Sequence, residues 1–82
     1  MLQEKERATE LADEMKTRLM EGMQKSGTDR QMVRELCRQH VSELGDALLL
    51  THDDRASLSS AIDKDETVAI TLIDRYLENY LR

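Results

Sequence analysis

Lys64-Asp65-Glu66-Thr67-Val68-Ala69-Ile70-Thr71-Leu72-Ile73-Asp74-Arg75-Tyr76-Leu77-Glu78-Asn79-Tyr80-Leu81-Arg82 is the stretch that decides the fold. Placed on a helical wheel, Val68, Ala69, Ile70, Leu72, Ile73, Tyr76, Leu77, Tyr80 and Leu81 cover roughly 220° of surface, whereas a single neighbouring layer needs a stripe of only ~100°. Thr67, Thr71, Asp74, Arg75 and Glu78 crowd into most of the remainder. A helix this apolar in so small a protein must be nearly surrounded, by its own chain or by a second one. The expectation is a molecule whose business is association.

Composition agrees. Eighty-two residues make one domain. A chain of this size buries only a little over ~60% of its unfolded surface. It must build a core with two Tyr and no Phe or Trp, giving up the side chains that carry the largest burial contribution. Association is the natural source of the missing stability. With no Pro, three Gly and 35% charged residues, the chain suits helices and lacks the turn residues of a sandwich or barrel.

Outward from the C-terminal stretch, three further helices are expected. The first spans 3–25, with Ala8, Leu11, Ala12, Met15, Leu19 and Met23 at helical steps. Ser26-Gly27 ends it, Gly27 being free to turn left-handed. Thr28, with Gln31 as its capping-box partner, opens a second helix over 29–49. This carries Met32, Val33, Leu36, Cys37, His40, Val41, Leu44 and Leu48 on one side and continues through Gly45. A short third helix covers 53–62, with Thr51 and Asp54 as its N-cap pair. The last spans 64–82, capped by Asp63 with Glu66 in the box position. An uninterrupted helix over 53–82 is the competing reading. The expected architecture is all-α, a small antiparallel bundle of three to four helices completed by dimerisation.

Chemistry is harder to find. Cys37 and His40 lie three apart on a helix and could face one metal. A structural zinc site wants four N or S ligands, and one Cys and two His fall short unless His52, Asp53 and Asp54 complete the set. A Cys on an apolar stripe is ordinarily a small buried hydrophobe. A thiol nucleophile would also need an orienting third group and an oxyanion site. The acidic residues around the third helix (Asp53, Asp54, Asp63, Asp65, Glu66) are read as caps, since calcium loops space their oxygens along one compact turn. No cofactor, metal or catalytic residue is expected, and the chain is read as non-enzymatic.

The formal charge of −5 argues against a nucleic-acid binder, which would show a clustered basic surface. Arg30, Arg34 and Arg38 recur at four-residue steps as one positive strip, a solvated face or a docking strip for an acidic partner. A single Cys fits a reducing compartment. Without an apolar signal core at the N-terminus, or a run near the ~20 residues of a bilayer span, the expected location is the cytoplasm.

Thr17-Arg18-Leu19-Met20-Glu21-Gly22 resembles the inhibitory-helix motif of Fic-domain antitoxins, Ser or Thr, three residues, Glu, then Gly or Asn. In that family the glutamate reaches an arginine in the Fic ATP site and blocks AMP transfer. The resemblance implies Glu21 as the inhibitory residue and Thr17 as its companion.

The leading expectation is a small cytoplasmic protein-binding regulator or adaptor of bacterial or phage type that acts by occupying a partner's surface. The partner or dimer interface is expected at Ile70, Tyr76, Leu77, Tyr80 and Leu81, joined by Met20. Tyrosines can bury a ring while keeping the hydroxyl wet, and an isologous dimer needs only one self-complementary patch.

Overall fold

A computed structural model describes residues 3–82, and these are 89% helical with no strand. Five helical segments follow one another: α1 (Gln3–Met23), α2 (Gly27–Gln39), α3 (Val41–Leu48), α4 (His52–Lys64) and α5 (Glu66–Leu81). The all-α expectation holds. The elements pack into a body of 41 × 23 × 18 Å.

α1 is the spine, packed against α5, α2 and α3, while α4 closes the other side against α5, α2 and α3. Small side chains let α1 be approached closely: Ala8, Ala12 and Gly22 are all buried. A methyl group on Gly22 would lie 2.7 Å from Val33 Cγ1, so here the α2 side chain rests directly on the α1 backbone. The core runs through Leu19, Leu44, Leu58, Ile62 and Ile73, each almost wholly excluded from water.

α1 stops at Met23 and α4 runs from His52 to Lys64, each a residue or two from the expected ends, and three further differences have a local cause. The helix expected over 29–49 is broken at His40 into α2 and α3. The His40 amide bonds the Cys37 carbonyl at 3.0 Å, which strips the Leu36 carbonyl of its usual helical partner. The imidazole replaces it, with Nδ1 donating to Leu36 O at 2.9 Å. His40 is thus explained by the corner it makes.

The capping box at Thr28 and Gln31 does not form. Thr28 lies inside α2, the N-cap is Ser26 without a side-chain bond, and Gly27 takes the left-handed conformation at φ 59°. The last boundary also moves. α4 continues past Asp63 to Lys64, and Asp65 is the residue that breaks the chain, extended at φ −158° and accepting from the Thr67 amide at 2.9 Å. This excludes the single helix over 53–82. Thr51 caps α4 as expected, its hydroxyl accepting from Asp54 N at 3.1 Å.

Three residues expected on the core face, Met23, Met32 and Leu36, are exposed. α2 turns only its Val33–Cys37 edge inward, and the break at His40 rotates the following residues relative to Leu36.

Candidate interaction surfaces

The Arg30, Arg34 and Arg38 strip proves to be an internal clasp. Glu66, in the first turn of α5, is 2% exposed and receives four charge-assisted bonds. Arg30 donates Nε to Oε2 at 2.7 Å and Nη2 to Oε1 at 2.8 Å. Arg34 donates Nε and Nη2 at 3.0 Å each, and its Nη1 reaches the Asp63 carbonyl at 2.7 Å. Arg38 bonds the Asp63 carboxylate at 3.0 Å and also pairs with Glu35.

The guanidinium groups of Arg30 and then Arg34 hold the Glu66 carboxyl well below the usual carboxylate range, against the opposing effect of burial. The strip therefore tethers α2 to the α4–α5 corner. Glu66, read from sequence as a capping-box partner, is the anchor of that tether. Its burial is invisible to periodicity because Glu seldom lies inside unless paired.

The α5 patch is only partly open. Leu77 is buried in the bundle, which removes it from any outward seam. Ile70, Tyr76 and Tyr80 are half-buried against the core, and the Tyr76 hydroxyl leans toward the Asp54 carbonyl at 3.4 Å. Burial raises the Tyr76 phenol above its ordinary pKa. The two large side chains α5 leaves exposed, Val68 and Leu81, are thirteen positions apart, roughly 20 Å at a helical rise. They form no common patch. Met20, expected to join the α5 patch, is exposed on α1, while Ile70 is half-buried on α5.

Two pairs of exposed apolar side chains stand at helical-neighbour spacing, Met20 with Met23 on α1 and, more exposed, Met32 with Leu36 on α2. Met32 is 64% exposed and Leu36 42%. Both lie on a shallow, open groove lined also by Val33, Lys25, Asp29, Glu35 and Gln39. Residues four apart on a helix stand side by side, so the two side chains make one ridge. Sequence reasoning placed both on the core stripe and missed their exposure; the signal was the width of that stripe, which one helix–helix contact could not absorb.

Cys37 is buried, with its thiol pKa pushed up by burial. Its partner in the proposed metal pair, His40, has one ring nitrogen engaged with Leu36 O. Among the described residues no three His, Cys, Asp or Glu side chains come together as a metal-binding group. The acidic residues around α4 are dispersed among a cap, the clasp and solvent. Thr17 and Glu21 lie exposed on α1, while Gly22 beside them is accounted for by Val33. No helix is long and apolar enough to cross a membrane.

Comparison with known proteins returns no match to any family model, any curated protein or any solved structure.

Proposed function

We propose that this chain is a small non-enzymatic protein-binding module, a regulator or adaptor that acts by occupying a partner protein's surface through the outer face of α2. The observation that carries the reading is the Met32–Leu36 ridge, two large flexible or branched apolar side chains standing together in water. Apolar ridges at i, i+4 spacing are what helix-in-groove recognition reads. Methionine adapts its shape to the surface it meets. The partner contact moves from α5 to α2 because α5 spends its apolar surface inside the bundle.

Self-association through the same ridge is the second reading. A two-fold axis between the ridge residues sets Met32 of each copy on Leu36 of the other, an isologous contact.

Co-purification from the native host tests the first reading. Wild-type bait retains a partner that the Met32→Asp, Leu36→Asp double variant loses, with the circular dichroism of the two baits unchanged. Equal recovery by both baits overturns it. Sedimentation equilibrium tests the second: a dimer that this double variant dissolves supports it, and a monomer at micromolar concentration refutes it.

A further inference from the structure

A second groove lies at the other end of the bundle. The Gly22–Val33 contact places the α2 ridge near the C-terminal end of α1. The second groove, of about 480 Å³, lies between the N-terminal half of α1, the end of α3 and the end of α5. Along α1 the two are roughly 20 Å apart, so neither occupant would block the other.

The floor of this groove is apolar, made by Leu11, Ala47 and Tyr80, with Leu49 at its edge. Leu49 is the most exposed large apolar side chain described, at 78%. It also holds a left-handed backbone, φ 58° and ψ 42°, the only non-glycine residue with positive φ among those described. The Leu50 amide bonds back to Gly45 O at 2.9 Å, a helix closure that usually places glycine at the left-handed position. Leucine there contributes nothing to the core and sits in a conformation it seldom takes.

The rim is acidic. Glu4, Glu43 and Asp46 line it against a single basic residue, Arg7. Arg7 approaches Glu43 only at 3.8 Å, with both side chains half-exposed or more. Asp46 bonds Arg55 yet stays 73% exposed. Three carboxylates against two guanidinium groups, Arg7 and Arg55, leave this rim net negative, and around an apolar floor on a chain of charge −5 that complements a cationic surface with an apolar anchor.

We infer that this groove receives a basic amphipathic helix of a partner protein, one apolar residue seating beside Leu49 and Tyr80 while flanking Lys or Arg side chains meet Glu4, Glu43 and Asp46. Leu49 is the anchor contact and the carboxylates set charge selectivity. With the α2 ridge at the other end, the molecule becomes a two-ended adaptor.

The test uses the full chain and two labelled synthetic helices, one built from Leu and Lys, the other from Leu and Glu, followed by fluorescence anisotropy. The Leu/Lys helix binds and weakens as salt rises; the Leu/Glu helix does not bind. Leu49→Gly weakens binding about tenfold, as loss of an apolar anchor does, while leaving the chain folded with a raised urea midpoint. Glu43→Gln with Asp46→Asn weakens it and flattens the salt dependence, and Met32→Asp leaves it unchanged. The inference is overturned by equal binding of both helices, or by a folded Leu49→Gly chain that binds as wild type does. A homodimer dissolved by Leu49→Gly also overturns it, since the seat would then belong to a second copy.

Discussion

Replacing Glu66 by glutamine keeps the shape of the side chain and removes the charge that two guanidinium groups converge on. In the folded chain Glu66 is 2% exposed and accepts four bonds at 2.7–3.0 Å. The amide has one oxygen to offer, and its nitrogen must face a cationic donor. Breaking a buried ion pair from one side costs about 3–5 kcal/mol where the surviving charge is stranded. Here the Arg30 and Arg34 side chains are 36% and 16% exposed, so they rehydrate in part, and the loss for Glu66→Gln falls to about 2–3 kcal/mol. With a urea slope of ~1 kcal/mol per molar for a small chain, the midpoint drops by about 2–3 M. The midpoint temperature falls by about 10–20 °C.

The pH dependence carries the same signature. The folded-state pKa of Glu66 lies below its unfolded value of about 4.3. Its stabilisation is therefore complete above about pH 5 and declines as pH falls through the acid range toward the folded pKa. Urea titrations of wild type and Glu66→Gln at a series of pH values measure this: the gap between them is widest at neutral pH and closes on acidification. A neutral-pH gap below about 1 kcal/mol, or a gap independent of pH, would refute the clasp as a stabilising element.

Gly22→Ala destabilises by about 1–3 kcal/mol despite alanine's better helix propensity, because its methyl group meets the stiff branched side chain of Val33 at 2.7 Å; thermal melts check this, with Val33→Ala in the same chain restoring part of the loss. Leu49→Gly raises stability by about 1 kcal/mol, through relief of the left-handed leucine, measured as a higher urea midpoint. Thr51→Ala lowers stability by about 1 kcal/mol as α4 loses its cap on Asp54 N, and hydrogen exchange locates the loosening at the start of α4.

The helical class was legible because Leu11, Met15, Leu19, Leu44, Leu48, Leu58, Ile62 and Ile73 recur at core spacing, and each lies inside or at the edge of the packed interior. Boundaries set by local exchange of hydrogen bonds were not. The His40 corner depends on an imidazole replacing an amide at Leu36 O, and the α4–α5 corner on Asp65 outcompeting Asp63 as cap. Neither exchange has a periodicity. The width of the α5 apolar face pointed rightly to a helix packed on several sides, but α1, α3 and α4 supply that cover within one chain. The Arg30, Arg34 and Arg38 row was visible as a strip. Its role was not, because the partner carboxylate lies about thirty positions downstream on a different helix and reads as an ordinary first-turn Glu. The open apolar surface escaped for a related reason: Met32 and Leu36 share a wide stripe with Val33 and Cys37, and only the Val33–Cys37 edge of it turns inward.

The most direct measurement for the binding reading is photo-crosslinking in the native host, with a photoreactive residue placed at Met32 and, as control, at exposed Asp53 on α4. If α2 is the working face, Met32 yields a discrete adduct with another protein that Leu36→Asp abolishes, and Asp53 yields none. A Met32 probe that captures nothing, or the same adducts from both positions, would contradict it.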